Sequence, residues 1–145
     1  MAFDPAFTYD VFITHAWRFH DDWSRAGALL DEVEGFRWRN FSVPWHDPAM
    51  DPNTERGGRF LQDWLETQIL PCHVFVFLDS VYAIRSARKW LDTELQVARA
   101  AGKPVIALPI EGSTGLAESV DIPRQAIVPW NGKALTDAIA AAARG

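Results

Sequence analysis

The sequence predicts a parallel α/β domain with five strands, on three observations: five short apolar segments, helical patterns alternating with them, and one uninterrupted apolar run from Val74 to Leu78. Strand–helix alternation calls for right-handed crossovers that leave helices on both faces of the sheet. A run that never alternates suits a strand covered on both sides, at the sheet centre.

The elements follow in order. Tyr9 to Thr14 reads as the first strand. Asp21 to Glu34 carries Trp23, Ala26, Leu30 and Val33 at helical spacing. Trp38 to Val43 alternates large and polar side chains, as an edge strand exposed on one side would. Gly57 to Leu70 sets Phe60, Leu61, Trp64, Leu65 and Ile69 on one helical face. After the central strand, a long helical stretch reaches Ala101, with Gly102 placed to cap it. Val105 to Leu108 reads as the fourth strand, Ala126 to Val128 as a short fifth, and Leu135 to Ala143 as the last helix. With the half-exposed second strand on the edge, the order is 2-1-3-4-5, a flavodoxin-like three-layer sandwich. Residues 1–145 are expected to form one domain, without repeats or linkers.

A hydrophobic share of 48% and a charged share of 23% are those of an ordinary globular protein. The net charge of -5 argues against a nucleic-acid partner, which selects a basic stripe. Cys72 is the one cysteine, so no internal disulfide is expected. His, Cys, Asp and Glu do not gather at ligand spacing, and no metal is expected. No stretch approaches the ~20 apolar residues of a membrane span, and the N-terminus lacks a signal-peptide pattern. A cytoplasmic protein is the expectation.

In an open parallel sheet, ligands bind beyond the carboxyl ends of the strands, where strand order reverses. Thr14, His15 and Trp17 follow the first strand there, and the Pro-rich stretch from Pro44 to Arg56 follows the second. Asp79 to Tyr82 follow the third. On the helix from Lys89 to Lys103, Glu94 falls within the apolar arc of Trp90, Leu91, Leu95, Val97, Ala98 and Ala101. A carboxylate aimed inward loses hydration and needs a partner or a task. Two readings stay open: a buried salt bridge with Arg85 or Arg88, or a functional group.

Tyr9-Asp-Val-Phe-Ile-Thr-His15 resembles the first-strand signature of TIR (Toll/interleukin-1 receptor) domains, in which serine is commoner at the Thr14 position. Trp90-Leu-Asp-Thr-Glu94-Leu is similar to the family's Trp-x-x-x-Glu motif. More narrowly, the chain resembles the TIR-like subunits of bacterial Thoeris antiphage systems, the ThsB family. That likeness rests on Asn40 to Pro44, Ile69 to His73, Val81 to Ala83, Gly102 to Ile106 and Val128 to Asn131. The segment from Pro109 to Ile122 departs from the pattern.

The resemblance implies an enzyme that takes NAD⁺ as substrate, without a further cofactor, and splits its nicotinamide–ribose bond. The product would be a cyclic or conjugated ADP-ribose messenger that activates a separate effector protein. A phage-derived trigger and self-assembly into a homo-oligomer are implied partners, and the loop from Pro44 to Arg56 is implied in assembly or gating. Glu94 would be the catalytic carboxylate, stabilising positive charge on the ribose as in glycoside hydrolysis. Nicotinamide already carries positive charge in NAD⁺, so its departure needs no general acid. Thr14, His15, Trp17, Asn40, Ser42, Asp47, Tyr82 and Trp90 are the candidates for holding substrate. The alternative is a TIR interaction module without chemistry. A phosphorylatable receiver domain shares the strand order, and Asp79 ends the third strand as a receiver requires. Thr14 and His15 stand where its acidic pair would be, and Lys103 precedes its strand.

Overall fold

A computed structural model describes residues 3–14, 21–42, 55–116 and 120–144 of the chain. Its frame is a parallel sheet of four strands: β1 (Thr8–Ile13), β2 (Arg37–Asn40), β3 (Val74–Leu78) and β4 (Val105–Leu108), in the order β2-β1-β3-β4. This order is the first four positions of the flavodoxin-like arrangement. The helices are α1 (Asp21–Glu32), α2 (Glu55–Ile69), the four-residue α3 (Asp79–Tyr82), α4 (Arg88–Ala100) and α5 (Gly132–Arg144).

The crossover from β1 to β2 and that from β2 to β3 run in opposite directions across the sheet, so right-handedness places α1 and α2 on opposite faces. α1 packs with α5 on one face, and α2 packs with α4 on the other. Every residue of β3 is buried, as its unbroken apolar run demands. Phe12 and Phe75 are register partners on β1 and β3, and their rings stack at 5.3 Å. β2 alternates between exposed and half-buried positions and lies on the edge.

The expected fifth strand is reduced to a single parallel bridge, Ala107 to Ile127. Residues Arg124–Ala126 form a 3-10 turn instead, and Pro129, which has no N–H, follows the Val128 N–H that donates to Ala107 O at 2.8 Å. β2 begins one residue earlier than the sequence suggests and ends at Asn40, while Val43 lies outside the described residues. The long helical stretch after β3 is broken. Ile84 is extended, with φ -79° and ψ 112°, and separates α3 from α4.

Local chemistry fixes the helix ends. Gly102 adopts φ 70° after α4, the Lys103 N–H donates to Ala98 O, and the Gly102 N–H donates to Arg99 O. These are the two bonds of a Schellman cap. Asn131 caps α5, accepting the Ala134 N–H through Oδ1 at 2.9 Å. Gly132 opens α5 because a side chain does not fit there. A Cβ would stand 2.9 Å from Val33 Cγ2 and 3.3 Å from Leu29 O. Gly132→Ala is therefore expected to wedge α5 from α1 and cost about 1–3 kcal/mol, read as a lower midpoint in urea with an unchanged slope.

The polar groups of the sheet are paired locally. Asp10 and Arg39, register partners on β1 and β2, form a two-pronged ion pair at 2.6 and 2.8 Å. The backbone N–H of Asp10 donates to His73 Nδ1 at 2.9 Å. Cys72 is buried just ahead of β3, and burial pushes its thiol up to about 11, with Asp10 adding to the rise and Lys103 opposing it. A thiol exposed by unfolding ionises from its ordinary value of 9.0. The unfolded chain therefore releases this proton first, and stability is lost as pH rises from 9 through 11. The loss is on the order of 2–3 kcal/mol, and Cys72→Ala should remove it from urea titrations compared at pH 8 and near pH 11.

Candidate functional site

Strand order reverses between β1 and β3, and in open parallel sheets ligands bind beyond the carboxyl ends at such a point. The Thr14 N–H donates to Val76 O at 2.8 Å, and the Thr14 hydroxyl accepts the Leu78 N–H at 2.8 Å. Thr14 is fully buried, and its side chain makes the last rung between the two strands. Directly after that rung stands Asp79, a carboxylate with 0% exposure. His15, Trp17 and Asp47 lie outside the described residues, as does most of the loop from Pro44 to Arg56.

At the carboxyl end of β2, Asn40 and Ser42 are brought together. Asn40 Oδ1 accepts the Ser42 N–H at 2.9 Å and also the Ser42 hydroxyl, while Ser42 Oγ accepts Trp23 Nε1 at 3.2 Å. Ser42 is buried, and this chain of bonds ties α1 to the end of β2.

Glu94 is fully buried on α4, between Leu91, Leu95, Val97 and Ala98, and Trp90 one turn before it is 1% exposed. Asp92, Gln96 and Arg99 face solvent on the opposite side. The helix places Glu94 inward because its neighbours at helical spacing are apolar, as the sequence pattern requires. Trp90 belongs to the core, so its ring is a wall of the interior.

Tyr82 is bound to α4. Its hydroxyl donates to Asp92 Oδ1 at 2.9 Å, its carbonyl accepts Arg88 Nε at 3.0 Å, and the Arg88 guanidinium lies 5.3 Å from its ring centroid. These contacts strap α3 across the first turns of α4. The α1/α5 side of the same sheet edge carries a second clamp. Arg25 pairs with Asp22 and with Glu111, each at 2.9 Å, and lies 4.6 Å from the Trp130 centroid. Trp130 Nε1 donates to Pro109 O at 2.6 Å. The segment after β4 thus helps close this edge, although exposed ion pairs contribute little stability.

A cleft of about 300 Å³ between α2 and α4 is lined by Gln62, Glu66, Leu70, Gln96 and Val97. These residues lead into the amino ends of β3 and β4, at the opposite edge from the crevice. Among the described residues no three His, Cys, Asp or Glu side chains group to hold a metal ion, and no helix is long and apolar enough to cross a membrane.

The Arg25 clamp left no periodic signal, since its members are far apart in the chain. No family model, curated protein or solved structure matches the chain.

Proposed function

We propose that the chain is a TIR-like enzyme that cleaves the nicotinamide–ribose bond of NAD⁺, with Glu94 as its catalytic carboxylate. The observation that carries this reading is the complete burial of Glu94 in an apolar stripe of α4. A carboxylate shielded from water acts strongly on positive charge, and charge of that sign grows on the ribose as nicotinamide leaves. The motif from Trp90 to Glu94 supplies the family reading. In that reading the Ala107–Ile127 bridge stands where a fifth strand would complete the sheet.

The enzyme would serve bacterial antiphage defence, making a nucleotide messenger for a separate effector when a phage-derived trigger is present. Departure of nicotinamide leaves an electrophilic ribose carbon. Water captures it to give linear ADP-ribose, or a nucleophile held nearby captures it first. In a dry crevice a tethered hydroxyl or ring nitrogen has the advantage in effective concentration. The main product is therefore expected to be a cyclic ADP-ribose isomer or an ADP-ribose conjugate.

The test is mass spectrometry of NAD⁺ incubations with purified protein, and of extracts from phage-infected cells expressing the parent or Glu94→Gln. A product at the mass of NAD⁺ less nicotinamide, absent with Glu94→Gln, supports cyclisation. Linear ADP-ribose that dominates from the first time point removes the messenger. NAD⁺ left intact in both settings removes the enzyme and leaves an interaction module.

A further inference from the structure

Phe7, Leu70 and Ile84 are the large apolar side chains left exposed among the described residues, at 40%, 52% and 41%. The Phe7 ring lies against its neighbours, 4.7 Å from the Tyr9 ring and 5.0 Å from that of His73. Leu70 and Ile84 stand at opposite ends of β3, Leu70 just ahead of it and Ile84 beyond α3.

Their surroundings differ in shape and in sign. Leu70 lines the cleft of about 300 Å³ between α2 and α4, together with Val97, Ala100 and Ala101. Glu66 is the charged residue of that lining, and Asp63 is exposed on α2 beside it. Ile84 has a basic setting instead: Arg85 and Lys89 are exposed next to it, and Arg88 is half-buried. Its backbone is fixed on both sides. The Ile84 N–H donates to Val81 O at 3.1 Å, and the Ile84 carbonyl accepts the Ala87 N–H at 2.9 Å. A side chain presented on so constrained a backbone loses little freedom when it docks.

We propose that these two patches bind each other between copies of this chain. The Ile84 side chain of one copy seats in the α2/α4 cleft of the next, beside Leu70, and Arg85 pairs with Glu66. A second copy is the occupant because one chain carries both halves: an exposed apolar residue beside a cation, and an apolar cleft beside a carboxylate. The contact uses no residue of the loop from Pro44 to Arg56 and is independent of the NAD⁺ reading. Ile84 precedes the start of α4 and the cleft lies at its end, so unlike surfaces meet. Such a head-to-tail contact leaves a free patch at each end and grows into a filament, unless its rotation closes a ring. One seated side chain and one rim ion pair make a weak contact, visible at protein concentrations of about 0.1–1 mM.

Sedimentation velocity of the full chain over that range should show a mass that rises beyond a dimer. Ile84→Asp and Leu70→Asp should each weaken self-association at least about tenfold. Each variant keeps the half that the other has lost, so their mixture should form a dimer and grow no further. Arg85→Glu should weaken assembly, and adding Glu66→Arg to the same chain should restore it. Circular dichroism reports folding, and Ile84→Ser or Leu70→Ser replaces an aspartate variant that does not fold. A parent protein that stays a monomer, or stops at a dimer, at about 1 mM overturns the proposal. Single variants that assemble like the parent do the same, as does a mixture that remains monomeric. None of these results bears on NAD⁺ cleavage, which is read through Glu94.

Discussion

Glu94→Gln is expected to lower NAD⁺ cleavage by a factor of at least ~10²–10³ while the thermal midpoint holds or rises. Glutamine keeps the shape of the side chain and its capacity for hydrogen bonds, so the α4 packing around it persists. The negative charge is what disappears. A neutral amide does little for a cation developing on the ribose, whereas a carboxylate excluded from water acts at nearly full strength. Removing a desolvated charge also lifts a penalty from the folded state. Steady-state rates and thermal melts on the same preparation separate the two readings of Glu94. Activity lost at constant midpoint assigns the chemistry to the charge. A midpoint drop equivalent to about 3–5 kcal/mol assigns the residue to a buried ion pair, since breaking one by removing a single partner costs that much.

Trp90→Ala is expected to destabilise the domain by about 3–5 kcal/mol, a large part of the ~5–15 kcal/mol that holds a domain of this size together. Trp90 is among the largest fully buried side chains, and α4 cannot collapse onto the void while α2 and the sheet hold it in place. Trp90→Phe, which keeps most of the apolar volume, should lose less. Denaturant titrations of both variants give the comparison. A tryptophan acting chiefly by stacking on the substrate would show the reverse: a stable alanine variant with impaired binding.

The inward turn of Glu94 is legible in the sequence because helical periodicity constrains six neighbours at once: Trp90, Leu91, Leu95, Val97 and Ala98 are buried with it, and Ala101 is half-buried. β3 is legible because five apolar residues in succession have no solvated face. The fifth strand misleads because Ala126, Ile127 and Val128 have strand-like side chains while Pro123 and Pro129 restrict the backbone around them. Side-chain chemistry shows in composition, but ladder pairing depends on where N–H groups are missing. The break at Ile84 is hidden for a related reason, since Ala83, Ile84 and Arg85 contain no glycine or proline to announce it. Asn40 and Ser42 were legible as polar residues near the crevice, but their mutual bonding depends on the turn that brings them together.

The rung made by the Thr14 hydroxyl also bears on which residues that position can accept. What the sheet uses there is one oxygen on Cβ, at hydrogen-bond distance from the Leu78 N–H. Serine offers the same oxygen on the same carbon, so serine and threonine are equivalent for this bond. Valine copies the outline of threonine more closely than serine does, yet it would leave a buried N–H with nothing to bind. The interchange that matters here follows an atom rather than a shape. Thr14→Ser is therefore expected to keep this rung, and Thr14→Val to break it.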